Sequence, residues 1–439
     1  MLITLLYAAI MLAFVSALAL ALNPVLGILV VTLSKPVIDT AYYAPLLFGL
    51  SLTQIFGVVM PIFILGHMII AKRLNRLRYM PLRTIWIIIA VDAFLFSGII
   101  AIQQDIMAGM EVFFRHMNGF IGFYMFQAFF REEKKMRMLF IAMILAGIFP
   151  ISTTLYQILS GAEWQQLTGN MDTAGGLSRS AGFYYHILTV RYYVYQTLIG
   201  MLLYWSVISK PRVWGRAVGG VILATSLIVL FHTYSKAALL QMVIWAFLWT
   251  TLQKKFTALI AILVAVLIII PFFAADIGDI VYTVFHGEAG ALTTGKQVEI
   301  ILTGRLFMWQ VVMERWGELN LLLKVFGSGQ VMTGAHNDFI MMLFHGGIVG
   351  FLIYIALLVI VGFRLVTELL RKIEPLGVVA LILYLTFVVE AVGLEPSSYP
   401  HFQWLVWGLI GLFLRRRKDS LASPMVQQHD LPPRYRTPS

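Results

Sequence analysis

Runs of about twenty apolar residues, the length at which one helix crosses a bilayer, recur from one end of this chain almost to the other. They fall at roughly 2–33, 46–71, 82–101, 109–130, 137–158, 184–208, 217–234, 237–252, 257–274, 336–363, 375–394 and 402–414. Hydrocarbon offers no water to backbone N–H and C=O groups, so such segments must be helices. The pattern predicts an all-α polytopic membrane protein of about 12 transmembrane helices, with a large periplasmic loop between spans nine and ten. With 60% hydrophobic and 12% charged residues among 439, a soluble domain is excluded. Asn23-Pro24 interrupts the first segment, which is either one kinked span or two short helices. The opening MLITLLYAAIMLAF lacks a basic n-region and a small-residue cleavage site, and reads as a retained helix rather than a signal peptide. Residues 1–414 form one membrane domain. The basic, proline-containing 415–439 reads as a disordered cytoplasmic tail.

Orientation follows from Lys and Arg. Most of the 32 lie in one alternate set of connections: around Lys72–Arg83, Arg131–Arg137, Lys210–Arg216, Lys254-Lys255, Arg364–Lys372 and Arg415–Arg436. That side is cytoplasmic by the positive-inside rule, so much of the formal charge of +11 is topological and implies a lipid bilayer, not a nucleic acid, as partner. The opposite face carries the connections 159–183 and 275–335, both long. Within the second, Gly304–Leu319 has helical periodicity, with Leu306, Trp309, Val312, Met313 and Trp316 on one face. It reads as an amphipathic helix lying on the outer bilayer surface.

The few basic residues on the outer side need another explanation. His336-Asn337-Asp338 opens the tenth span, where Asn337 or Asp338 can cap the helix and the helix N-terminus favours an anion. Arg305 begins the amphipathic stretch, Lys236 lies in the tight turn between spans seven and eight, and Arg179, His186 and Arg191 flank the start of span six. Cations gathered around one imidazole suit a diphosphate beside a general base, whereas singly each would only snorkel to headgroups or cap a helix. Asp92 and Arg115, in adjacent antiparallel spans, are expected to pair, and Glu390 lies near the outer end of span eleven. With no cysteine, no HExxH and no outer acidic pair, no metal or other cofactor is expected.

Six strings carry a resemblance. Gly304-Arg305 with Trp309, FGSG (Phe326–Gly329), HNDF (His336–Phe339) and HGGIVG (His345–Gly350) resemble the core of the O-antigen ligase/polymerase superfamily. RSAGFYYH (Arg179–His186) and TYSKAAL (Thr233–Leu239) are similar to its two earlier outer-side signatures, and the order holds over roughly 175–365. Lys236 stands where that family commonly has Arg, keeping the charge but losing the bidentate fork. The resemblance implies a metal-independent glycosyl transfer at the periplasmic face of a bacterial inner membrane, from a glycan on undecaprenyl diphosphate. In it Arg305 and Lys236 hold the diphosphate, assisted by Arg179 or Arg191 beside His186. His336 deprotonates an acceptor hydroxyl and is oriented by Asn337 or Asp338. The acceptor is a second lipid-linked repeat unit in a polymerase, or lipid A–core in a ligase. Chain-length regulators or flippases are the protein partners implied. A lipid-linked sugar flippase or other transporter is the different-class alternative, expected to carry its functional charges inside the spans.

Overall fold

In a computed structural model the protein is an all-α membrane protein. The structure describes residues 2–42, 45–47, 50–70, 80–162, 173–174, 177–208, 213–255, 257, 304–332 and 334–427. All of the expected ninth span at 257–274 but its first residue, most of the large loop (up to 303) and residues 163–172 and 175–176 of the first loop lie outside the described residues.

The first apolar segment is two helices. α1 (Leu2–Leu22) ends at Asn23, whose Oδ1 accepts from the N–H groups of Val25 and Leu26 at 2.9 and 3.2 Å and so starts α2 (Pro24–Ile38). An Asx cap followed by Pro at the first helical position is a start signal, so the break makes a hairpin rather than a kink. Its arms are pinned by the Ser16 and Ser34 hydroxyls, 2.6 Å apart. A short hairpin of strands β1 (Pro45–Leu47) and β2 (Leu50–Ser51) leads to α3 (Leu52–Ile70). Then follow α4 (Arg83–Gln103), α5 (Ile106–Phe129), α6 (Glu133–Ala146) and α7 (Ile148–Ser160), the last two in line across Gly147. A second small hairpin pairs β3 (Thr173–Ala174) with β4 (Leu177–Ser178). Beyond it lie α8 (Ile187–Leu203), α9 (Val213–His232) and α10 (Lys236–Leu252). The last group is α11 (Arg305–Glu318), α12 (Leu321–Phe326), α13 (Asp338–Arg371), α14 (Pro375–Gly393) and α15 (Pro400–Gln427).

Eight helical stretches among the described residues are long and apolar enough to cross a membrane. α8, at 17 residues, is shorter than these, and α5 and α15 are not among them by reason of position. The α15 stretch Phe402–Leu414 is buried almost throughout, and α5 carries Glu111, Arg115, Asn118 and Gln127, so helices in the bundle's interior need less hydropathy than those facing lipid. α5 and α15 run side by side through glycine contacts. A Cβ on Gly122 would sit 2.7 Å from the Trp404 Cα, and one on Gly411 would sit 2.4 Å from the Phe123 carbonyl oxygen. Small residues at a helix crossing allow this approach. Gln403 Nε2 donates to the Arg115 carbonyl at 2.7 Å, and Trp404 Nε1 to Asn118 Oδ1 at 2.9 Å, fixing the register.

Two expectations are corrected by packing. α11 does not simply lie on the bilayer surface: Val312 is buried with Met332, Ala335, Met341 and Phe344, so the helix docks on the start of α13, while Met313 from the predicted face is exposed. Nor is 415–439 disordered from its start, since α15 runs on to Gln427. Arg and Lys are good helix formers, and Arg417 approaches the buried Glu368 of α13, which also accepts from Arg364 at 2.8 Å and Arg371 at 3.0 Å. Residues 428–439 lie outside the described residues.

The glycine strings FGSG and HGGIVG meet each other. α13 is kinked at Gly347 (φ 64°, ψ −165°), a conformation that excludes a side chain. A Cβ there would come within 2.4 Å of the Val325 carbonyl oxygen, and one on Gly327 within 1.9 Å of the His345 carbonyl oxygen. The Ser328 N–H donates to the Phe344 carbonyl at 2.9 Å, and the Met332 N–H to His345 Nε2 at 3.2 Å. Here the Phe344 carbonyl, beside the kink, and the His345 imidazole find donors in the loop.

Candidate functional site

Neighbouring ends of α2, α3, α5, α8 and α15, with the segments just before α13 and just after α14, surround a cavity of about 340 Å³. Its floor is a buried cluster. Lys35 and Asp39, one turn apart at the end of α2, form an ion pair, and the Tyr193 hydroxyl donates to Asp39 Oδ2 at 2.6 Å. His401 stacks on Tyr193 (centroids 4.6 Å apart, planes at 12°) with Nδ1 3.8 Å from the same carboxylate oxygen. On one wall Arg115 donates to Glu111 Oε1 at 3.1 Å. The expected Asp92–Arg115 pair is not formed: Asp92 packs against Gly350 and its buried Oδ2 has no hydrogen-bond partner. Glu111, one helical turn away and partly exposed, costs less desolvation to pair than a carboxylate buried in mid-span.

His336 also lines this cavity. It takes a left-handed backbone (φ 48°), costly for a residue with a Cβ, and its N–H donates to Glu395 Oε1 at 2.8 Å. The next two residues lock this bend in place. Asn337 Oδ1 caps α13 by accepting from the Ile340 N–H at 3.0 Å, while its Nδ2 donates to the Val392 carbonyl at 2.8 Å. The Asp338 N–H donates to the Leu394 carbonyl at 3.1 Å, and its carboxylate accepts from the Ser397 hydroxyl at 2.6 Å and the Tyr354 hydroxyl at 3.3 Å. Asn337 and Asp338 therefore set the imidazole's position through the backbone they share with it, by gripping the Val392–Ser397 segment. His186 also lines the cavity and caps α8, its Nδ1 accepting from the Leu188 N–H at 3.1 Å.

The cations gather at the C-terminal end of α14. Arg191 is buried, with one terminal nitrogen on the Ser235 hydroxyl and the other on Glu390, which also accepts from Gln241. The guanidinium lies 5.6 and 6.0 Å from the Tyr192 and Tyr195 ring centres. Ser235 caps α10, whose first residue is Lys236, so the Arg191 brace holds Lys236's helix start to α8 and α14. Arg305 begins α11 with Nη1 3.3 Å from where a Cβ on Gly393 would stand. Arg179 precedes Ser180, whose N–H donates to the His232 carbonyl at 3.1 Å, tying that segment to the turn before Lys236. The structure thus groups Arg305, Arg191 and the Lys236 helix start around one helix end. None of Arg179, Arg191, Lys236 and Arg305 lines the cavity itself.

Glu395, the Lys35–Asp39 pair, Tyr193 and His401 escape sequence reading. Lys35 and Asp39 do carry a signal, opposite charges at i,i+4 at a span end. Glu395 carries none, because its link to His336 crosses 59 residues. Burial and the nearby Glu111 carboxylate raise the Tyr42 phenol above its ordinary value, and burial with Glu395 raises that of Tyr399. Both stay protonated hydrogen-bond donors at the mouth. Comparison with protein-family models finds no match to this chain, and comparison with curated proteins finds none either.

Proposed function

We propose that this protein is a membrane glycosyltransferase that polymerises undecaprenyl-diphosphate-linked repeat units at the periplasmic face of a bacterial inner membrane. The observation that carries the reading is His336, held in a left-handed bend at a cavity wall with its N–H on Glu395, which follows by two residues the Gly393 end of α14 that gathers Arg305, Arg191 and the start of the Lys236 helix. The resemblance of the HNDF, GR-x3-W and TYSKAAL strings to the O-antigen ligase/polymerase superfamily supports it. So does the basic-residue asymmetry, which puts all of these helix ends on the outer side of a bundle of about twelve spans.

In this reading His336 takes the proton of an acceptor hydroxyl as its oxygen attacks the anomeric carbon. The bond from that carbon to the diphosphate breaks, and the electron pair leaves with the diphosphate, whose charge Arg305 and Lys236 stabilise, with Arg179 nearby. Arg191 contributes by bracing the Lys236 helix start rather than by touching phosphate. Transfer to lipid A–core, the ligase reaction, uses the same steps with another acceptor. The purified protein in nanodiscs should lengthen lipid-linked repeat units isolated from its host, releasing one undecaprenyl diphosphate per bond formed. Release with glycan appearing only on lipid A–core would make it a ligase. Movement of intact lipid-linked units across vesicles with no release would make it a flippase and sink the proposal.

A further inference from the structure

The cavity's charge does not suit a diphosphate. Among the described residues its charged lining is two cations, Lys35 and Arg115, against three carboxylates, Asp39, Glu111 and Glu395. Each cation is already paired, Lys35 with Asp39 and Arg115 with Glu111. A dianion entering would meet net negative charge in a half-enclosed, low-dielectric site, whereas the cations of α8, α10 and α11 stand outside the cavity. Its remaining lining has another chemistry. Tyr42 and Tyr185 face each other at the mouth (centroids 5.4 Å apart), both partly exposed, and Met110 and Phe114 give it an apolar wall. Glu111 and Glu395 offer acceptors, and Tyr42 and Tyr399 donors.

We infer that this cavity is a subsite for the acceptor glycan, built to hold an uncharged sugar end against His336, and that the lipid diphosphate sits outside it. A sugar ring presents an apolar C–H face and a rim of hydroxyls, which an aromatic pair with flanking carboxylates matches, much as other small-ligand sites combine apolar walls with a few placed polar groups. At about 340 Å³ the space admits the end of a glycan and not a long chain. Its wall carries the imidazole, so an acceptor hydroxyl seated there is within reach of the base. This inference rests on the glycosyl-transfer reading for its choice of ligand.

The chain has no cysteine, so Met110→Cys or Val58→Cys places a single thiol on the cavity wall. Each variant, in nanodiscs, is labelled with a neutral maleimide alone, with the repeat-unit oligosaccharide freed from its lipid by mild acid, or with undecaprenyl diphosphate. The free oligosaccharide at about ten times its Kd should slow labelling about 10-fold, and undecaprenyl diphosphate should leave the rate unchanged. Protection by undecaprenyl diphosphate equal to or greater than that by oligosaccharide overturns the assignment, as does protection by neither. Tyr42→Ala and Glu111→Gln should raise the KM for acceptor about 10-fold with kcat nearly unchanged, the size of one lost contact. A fall in kcat alone would contradict a binding role. Transfer by the same preparations is scored separately: protection without transfer overturns the polymerase reading and keeps the sugar site, and transfer without protection does the reverse.

Discussion

Removing the Arg191 guanidinium decides between a phosphate ligand and a structural brace. Arg191→Met keeps roughly the side chain's length and removes its charge. Glu390 is then left buried with the Gln241 amide donating to it but without its counter-charge, and the Ser235 hydroxyl that caps α10 loses its contact to α8. Breaking a buried ion pair by deleting one partner costs about 3–5 kcal/mol, because the surviving charge keeps its desolvation penalty. Replacing both ends should cost far less. The variants Arg191→Met, Glu390→Leu and the double substitution are compared by thermal unfolding in detergent and by urea titration. Each single change should lower stability by about 3–5 kcal/mol, and the double should lower it by less than about 2 kcal/mol, well under either single change, a coupling expected only of groups in contact. Arg191→Lys should fall in between, since an ammonium cannot serve Ser235 and Glu390 in the fork's fixed geometry. If Arg191→Met melts with the wild type yet makes no product, the brace is wrong and Arg191 belongs with the phosphate ligands.

Three further outcomes follow from the same geometry. Gly347→Ala forces a Cβ to within 2.4 Å of the Val325 carbonyl oxygen at positive φ and should destabilise by about 2 kcal/mol or more, read as a lower melting temperature; an unchanged melt would contradict the kink. Lys236→Ala should lose glycan transfer while Lys236→Arg keeps most of it, measured as polymer per unit of protein, and full activity in the Ala variant would reduce Lys236 to a snorkelling lysine. Single cysteines at 170 and 290 should label from the periplasm and those at 75 and 133 only after permeabilisation; reversed labelling at 290 would remove the outer site altogether.

The all-α membrane character and the eight long apolar helices were legible because hydropathy and backbone satisfaction leave a membrane chain few choices, and the glycine strings were legible as motifs. What they do was not. That Gly327 and Gly347 exist to let a loop touch a kinked span depends on a contact between segments whose order gives no hint of it. The helix break at Asn23 was visible as an Asx-Pro start signal, but whether it produced a kink or a hairpin turned on the Ser16–Ser34 contact. The Asp92–Arg115 expectation failed because a local i,i+4 partner, Glu111, is cheaper to ionise than a buried one. Arg191 reads from sequence as a candidate diphosphate ligand at the start of span six. Its burial, which turns a candidate ligand into a brace, is a property of tertiary packing that a sequence does not display.

The central claim is that His336 is the base of a glycosyl transfer. Asn tolerates the left-handed backbone that His336 adopts, so His336→Asn removes the base while keeping the bend and its bond to Glu395. In nanodiscs with host lipid-linked repeat units, the variant should fold and melt as the wild type, bind the donor with unchanged affinity, and transfer glycan about 10²–10⁴-fold more slowly. Transfer at the wild-type rate would show that this imidazole only starts a helix.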